Sequence, residues 1–297
     1  MTSGTQPTAA VQPAPRRSLT ESYRFRQALG LWAVRIALIV ITLVSLFPTM
    51  YVVLYSLKGG GNSLYSPTLI PQKLTLENYT KLLSSQFPLW VRNSLILGGV
   101  SAAVSVMLAT FAGYAFSRLN FAGRRYGILI LLIIQMLPTV GSLVAIFRGF
   151  QMLRLLNTLT GLILLFGFGG SALAVWLMKN FMDSIPRELD EAASIDGASN
   201  WQIFWRILFP LLQPMLVAQF IFGFIGVYNE YIVTTVFLSD TKLYPLGVGV
   251  RLFSTQFNTN WTQFCAAAVL GSLPIMLIFF LAQRFLVEGL TKGALKG

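Results

Sequence analysis

Long uncharged apolar runs, separated by short polar breaks, make up most of this chain. They cover residues 36–57, 93–117, 126–147, 155–178, 207–229 and 252–283. A helix rises about 1.5 Å per residue, so a run of about 20 residues crosses a hydrocarbon layer about 30 Å thick. The last two runs open on polar or proline-interrupted stretches, which moves their helices to 213–238 and 263–286. The pattern predicts an all-α integral membrane protein with six transmembrane helices.

One polar interval has a different periodicity. The stretch "IPRELDEAASIDGASNWQIFWRILFPLLQP" fills residues 185–214. Pro186 suits a first helical position, and Glu188, Asp190 and Glu191 suit the positive end of the helix dipole. Ile185, Leu189, Ala192 and Ala193 recur at helical spacing as one apolar stripe. Asp196-Gly197 ends that helix, because Gly accepts the left-handed conformation of a C-terminal turn. Ser199 and Gln202 form a capping box that opens a second helix. Ala198, Trp201, Phe204, Trp205 and Leu208 supply its apolar face, until Pro210 and Pro214 lead into the fifth span. The prediction is a helix-turn-helix between spans four and five, joined directly to a membrane helix.

Composition supports the membrane reading: 55% of residues are hydrophobic, 11% are charged, and mean hydropathy is +0.68. The formal charge is +12, but the basic residues are spread between the spans, which speaks against nucleic acid as a partner. Their placement favours N-in, C-in topology by the positive-inside rule. That arrangement puts Arg16, Arg17, Arg24 and Arg26 inside, with Arg118, Arg124 and Arg125 of the short loop "SRLNFAGRR". The acidic interval is then cytoplasmic. Residues 1–29, Pro/Thr/Ala-rich and then basic, are expected to form a disordered cytoplasmic arm before a signal-anchor span, since the apolar run that follows is too long for a cleaved signal peptide. Residues 30–290 make the six-span domain, and 291–297 a cytoplasmic tail.

Half of the ten Asp and Glu (Asp183, Glu188, Asp190, Glu191 and Asp196) fall in or beside the helix-turn-helix. An interfacial hairpin anchored by Trp201 and Trp205 is one explanation, but such hairpins are usually basic. An acidic surface is repelled by an anionic inner leaflet, so a protein partner accounts for it better. Outside the membrane, the loops at 58–92 and 240–262 carry no catalytic spacing and are surfaces for a partner. Small residues four apart, Ser101, Ser105, Ala109 and Gly113 in span two and Ala267 and Gly271 in span six, predict close helix packing. Pro48, Pro138 and Pro274 bend their spans.

Candidate chemistry is sparse. There is no His, and the single Cys265 lies within span six, so a histidine base, a His-Cys zinc site and an intrachain disulfide are all excluded, and no metal ligands are assigned. No G-x-x-x-x-G-K-[ST] loop is present, so the chain binds no nucleotide by that means. Glu230, late in span five, would cost about 2.5–3.5 kcal/mol facing lipid. Two readings stay open: a pathway-lining group beside Tyr228 and Asn229, or a residue solvated near the outer surface. A secondary transporter would need more intramembrane acids than this one, and no repeat is visible.

Glu191-Ala192-Ala193, then Gly197, Ile207 and Pro210, match E-A-A-x3-G-x9-I-x-L-P, with Phe209 where Leu is usual. This resembles the signature loop of permease subunits of ATP-binding-cassette (ABC) importers. The stretches "AFSRLNFAGR", "QMLPTVGSLVAIF" and "AAAVLGSLPIMLIFFLAQRFLVEGL", and the tail "GLTKGALKG", are similar to the smaller, MalG-type permease of maltose/maltodextrin importers, from about residue 31 to Gly297. The resemblance implies a non-enzymatic subunit in the inner membrane of a prokaryote, translocating maltodextrin-type or other oligosaccharides such as trehalose or a cyclodextrin. It implies that the helix-turn-helix is a coupling helix docked in a separate ATPase, with Glu191, Ala192, Ala193, Asp196, Gly197, Ile207 and Pro210 at the joint. Gly293, Ala294, Leu295, Lys296 and Gly297 would reach the interface of the two ATPases. A larger permease subunit, which would hold most of the sugar, and an extracytoplasmic sugar-binding protein are the other implied partners, with lipid around them. ATP and Mg would be used by the ATPases, and this chain would bind no cofactor. Tyr228, Asn229 and Glu230 are its candidates for the substrate pathway.

Overall fold

The computed structural model describes residues 19–59, 73–136, 139–169, 172–254 and 260–294. Their regular structure is helical, and the one β pairing among them is an isolated antiparallel bridge between Lys58 and Leu74. Residues 1–51 and 52–297 form two compact units.

The first unit holds most of α1 (Leu19–Ser56), whose most apolar window within Gly30–Ser56 has a mean hydropathy of 2.4. The helix begins at Leu19, where a disordered arm was expected to continue to residue 29. Residues 19–29 contain neither Pro nor Gly and include Leu, Glu, Arg, Gln and Ala, good helix formers that carry the helix ahead of its apolar run. Residues 1–18 of that arm lie outside the described residues.

In the second unit, α2 (Glu77–Leu83) precedes α3 (Phe87–Arg118), the central helix. After α4 (Arg124–Gln135) and α5 (Thr139–Met152) come α6 (Leu159–Phe168) and α7 (Ala172–Asp183). The helix α3 packs against α6, α7 and α11 (Gln213–Tyr228). The small-residue row explains how: Ser101, Ala109 and Gly113 are buried. A Cβ on Gly113 would lie 3.0 Å from Met178 Cγ and 3.1 Å from the Lys179 amide of α7, so a larger residue there would push the helices apart. The final helix, α14 (Trp261–Ala294), packs on α11 and α2.

Three helical segments among the described residues are long and apolar enough to cross a membrane: Gly30–Ser56, Phe87–Arg118 and Trp261–Gln283. Two bent pairs also qualify if each counts as one crossing, which gives up to five. These are α6 with α7, bent by 47°, and Asn200–Leu211 with α11, bent by 72°. The expected third span, 126–147, is divided between α4 and α5, of 12 and 14 residues, and residues 137–138 between them lie outside the described residues. The expected fifth span also divides: α11 ends at Tyr228 and α12 (Ile232–Phe237) resumes after a three-residue interruption. Among the described residues, therefore, not every apolar run is a single continuous helix, because Gly, Pro and capping residues interrupt apolar runs without changing their hydropathy.

At the Phe87 end of α3, the segment after α12 folds back onto the helix. Trp90 Nε1 donates to Thr241 O at 2.9 Å, and Asn93 Nδ2 donates to Lys242 O at 2.8 Å and Tyr244 O at 3.1 Å. The Leu246 amide, opening α13 (Leu246–Gly249), donates to Ser94 Oγ at 2.7 Å.

Candidate functional sites: the acidic loop and an interior cavity

At the other end of α3 lies the acidic loop. Its first helix, α8 (Glu188–Ile195), has Arg187 at the N-cap, so Pro186 precedes the helix rather than opening it. The turn after it is a complete Schellman motif, with Ala198 N donating to Ala193 O at 2.9 Å and Gly197 N to Ser194 O at 3.1 Å. Gly197 sits at φ +84°, in the left-handed region where a side chain costs roughly 1–2 kcal/mol. The expected capping box is present: Gln202 N donates to Ser199 Oγ at 3.3 Å, and Ser199 N donates to Gln202 Oε1 at 2.8 Å. It opens α9 (Asn200–Ile203), which runs into a π-helical turn over Phe204–Leu208 and then α10 (Phe209–Leu211). Pro210 has no N–H for the Arg206 carbonyl, so the α-helical ladder is broken here, and the Phe209 amide reaches back to Phe204 O.

The acids divide into two groups. Asp183, itself exposed, and Asp190 have charged partners within the chain. Lys179 Nζ lies 2.5 Å from Asp183 Oδ2, and Ser117 Oγ donates to Asp183 Oδ1 at 2.6 Å. Arg118 Nε lies 2.5 Å from Asp190 Oδ2 with both side chains largely buried, although the N–H is not aimed for a hydrogen bond, so the contact is an ion pair. Arg118 Nη2 also donates to Ile185 O at 3.0 Å, and Arg187 Nη2 donates to Ser117 O at 2.9 Å. Glu188, Glu191 and Asp196 are exposed.

The expected apolar stripe divides in the same way. Ile185 and Ala193 join a core with Met178, Met182, Ile203, Phe204, Leu208 and Leu212. Leu189, Ala192 and Ile195, three residues apart, are exposed, Ile195 by 87%. One face of α8 therefore stands unpaired, apolar in the middle and acidic at its margins. The second helix is held by aromatic rings: Phe204 packs edge-on to Tyr114 at 5.0 Å and stacks on Phe111 at 5.4 Å, and Trp205 meets Phe209 at 4.7 Å. Such pairs contribute about 0.5–1.5 kcal/mol each beyond buried area. Ile207 is half-buried within the π turn and Pro210 is exposed. The loop is thus fastened to α3 by an ion pair, side-chain-to-backbone hydrogen bonds and ring contacts, and it packs on α7 through Met178 and Met182. Gly293 and Ala294 end α14, while Leu295, Lys296 and Gly297 lie outside the described residues.

The three pathway candidates lie in separate settings. Tyr228 is buried and its hydroxyl donates to Gly271 O at 2.9 Å. Asn229 is exposed, with Nδ2 donating to Ile225 O at 3.0 Å. The Glu230 carboxylate accepts from Val233 N at 2.9 Å and Thr234 N at 3.0 Å, capping α12. None of the three lines the cavity of about 580 Å³ that α3, α5, α6, α7, α11 and α12 line. That cavity is mostly apolar; its polar side chains are Ser101, Ser105 and Gln219, and motif reasoning missed Gln219 and Ser101 as a site. The signal for Gln219 was available: it is the one amide inside the apolar stretch 215–228. Among the described residues, no group of three or more His, Cys, Asp or Glu could hold a metal ion.

Comparison with known proteins places these features. Residues 105–292 match the family model of the binding-protein-dependent transport system inner membrane component. The chain is 38% identical over 286 residues to the maltose/maltodextrin transport system permease protein MalG of Vibrio vulnificus (strain YJ016), covering 90% of this chain and 96% of that one. It is 38% identical over 242 residues to the galactooligosaccharides transport system permease protein GanQ of Bacillus subtilis (strain 168), covering 80% and 86%. In fold it is similar to a chain of a bacterial ABC transporter involved in the import of the acidic polysaccharide alginate, with a TM-score of 0.76 at 22% identity, over 91% of this chain and 99% of that one. An all-helical apolar chain, a helix-turn-helix bearing the E-A-A loop and these relatives converge: the chain belongs to the binding-protein-dependent transport system inner membrane components, as a MalG-type ABC transport permease and not an enzyme.

Proposed function

We propose that this permease imports maltose/maltodextrin-type oligosaccharides, with a larger permease as its counterpart and an extracytoplasmic sugar-binding protein delivering the cargo. Six crossings, two of them bent and one divided, carry the chain through the cytoplasmic membrane from a cytoplasmic N-terminus to a cytoplasmic C-terminus. A pair of ATPases supplies ATP and Mg chemistry. They receive α8 in a cleft, with Glu191, Ala192, Asp196 and Gly197 at the contact and Ala193, Ile207 and Pro210 behind it. Residues 293–297 reach the ATPases as a second contact. Asn229 is the pathway candidate free to meet cargo, while Tyr228 and Glu230 position α11 and α12 around it.

The observation that carries this reading is the fastening of α8. Arg118, Arg187 and the Phe204 ring cluster tie the loop to α3, and the loop continues directly into α11. A displacement imposed on α8 then moves membrane helices, since packed elements shift as bodies rather than deforming. The test is a reconstituted complex carrying Glu191→Lys, assayed for sugar uptake and sugar-stimulated ATP hydrolysis. Placing a mismatched charge in a docked interface costs about 2–5 kcal/mol, so both activities fall by at least tenfold. Unchanged activities with the complex intact would rule out the docking role.

A second cargo class is favoured by the similarity to a galactooligosaccharide permease, equal in identity to that of the maltodextrin relative. Uptake of the two sugar series by the same vesicles separates them.

A further inference from the structure

We propose that this subunit contacts the transported sugar itself, in the cavity between α3 and α11, through Gln219 and Ser101. The inference rests on the sugar-import reading above and adds a cargo-binding site to it.

Two buried oxygens carry the proposal. Gln219 is 9% exposed, and its Nε2 donates to Ala174 O at 2.9 Å, which fixes which way the amide faces. Its Oε1 is buried and has no hydrogen-bond partner. Ser101 is 0% exposed, and its Oγ is also without a partner. That is unusual for a helical serine, which ordinarily bonds the carbonyl one turn back, as Thr110 Oγ1 does to Val106 O at 2.6 Å in the same helix. Buried polar atoms are nearly always satisfied, and leaving one unpaired costs about 1–3 kcal/mol. Both residues line the same cavity of about 580 Å³, within the 300–1,000 Å³ typical of small-molecule sites.

The rest of the lining selects the occupant. Its walls are apolar, including Phe166 and Phe222. An acyl chain would suit those walls but brings no donor for either oxygen. A sugar has apolar ring faces and a rim of hydroxyls, so it meets both: one hydroxyl donates to Gln219 Oε1, and another exchanges a hydrogen bond with Ser101 Oγ. The cavity also spans parts that move relative to one another in the proposed cycle. Gln219 links α11, which continues from the acidic loop, to α7 through Ala174, and Ser101 lies on α3. Cargo in this position touches the helices that the coupling loop drives.

The experiment uses the reconstituted four-part transporter with maltotriose and a set of its monodeoxy analogues. The wild-type complex should prefer maltotriose over one particular analogue by about three- to tenfold in uptake kcat/KM, the contribution of one buried hydrogen bond. Gln219→Leu should lower maltotriose uptake and abolish that preference while leaving discrimination against the other analogues intact. Gln219→Asn, which keeps the amide but shortens its reach, should fall between. Ser101→Ala should erase the preference at a different hydroxyl. If Gln219→Leu slows all sugars by one common factor, the residue is structural and the proposal fails. If uptake and preferences do not change, the oxygens bind only water and the proposal also fails. A wild-type complex that hydrolyses ATP but takes up neither maltodextrins nor galactooligosaccharides overturns the cargo reading instead, so the two failures are distinguishable.

Discussion

Gly197 holds a position in the acidic loop that other residues enter only at a cost. At φ +84° it lets Ala198 N reach Ala193 O and reverses the chain between α8 and α9. Open space surrounds the place where a Cβ would stand, so the penalty for Gly197→Ala is conformational and not steric. The variant should lose roughly 1–2 kcal/mol locally, seen as faster hydrogen exchange of the Ala198 amide with the rest of the bundle unchanged. Arg118 and Asp190 present the opposite case, a contact that depends on the fold and not on local sequence. Removing one partner of a buried pair costs up to about 3–5 kcal/mol, and the 17% exposure of Asp190 places Asp190→Asn below that range. Thermal unfolding should show Arg118→Met as the more damaging change, because Arg118 also donates to Ile185 O. The turn glycine, the capping box and the acidic first turn were readable because their partners lie within a few residues. The Arg118–Asp190 pair was not, since nothing in the spacing says that the end of α3 returns beside α8.

At the scale of elements, α8 is amphipathic in an unusual sense: each face has charge, and the two faces differ in what receives it. The inner face, with Asp190 paired to Arg118 and Ala193 packed in the core, is covered within the chain, whereas Leu189, Ala192 and Ile195 await a partner. Ile195→Asp should therefore leave folding intact, because its side chain is exposed, yet weaken co-purification of the ATPase at least tenfold, the effect of about 1.4 kcal/mol or more at a hot spot. Retention of the ATPase at wild-type yield would show that another face docks. The long apolar helices were legible in hydropathy, and their continuity was not, nor was α13, which forms in a stretch read as a loop. Glu230 illustrates why. In sequence it is one acid in an apolar span, and both a pathway role and solvation were open for it. In the structure it ends the span by capping α12, a use that depends on the chain having already turned. The apolar stripe failed for a related reason: periodicity places residues on a helix face but does not say which part of that face the remainder of the chain covers.

For the whole molecule, the sharpest question is which end of α3 faces the cytoplasm. The helix has 32 residues, about 48 Å at 1.5 Å per residue, longer than a hydrocarbon layer of about 30 Å. Its two ends therefore emerge on opposite sides, and each end is marked by an exposed position. Ala122 follows the Arg118 end, and Lys242 is held by Asn93 at the other. Arg118, Arg124 and Arg125 cluster beside Ala122, and the topology proposed above puts that end in the cytoplasm, as the positive-inside rule favours. The assignment can be measured in a Cys265→Ser background, which removes the single native thiol. With a membrane-impermeant maleimide, right-side-out cells stripped of their wall should label Lys242→Cys and leave Ala122→Cys unreacted. Inverted vesicles should give the reverse. The opposite pattern would put the acidic loop outside the cell, away from any ATPase, and the coupling role of α8 would fall with it.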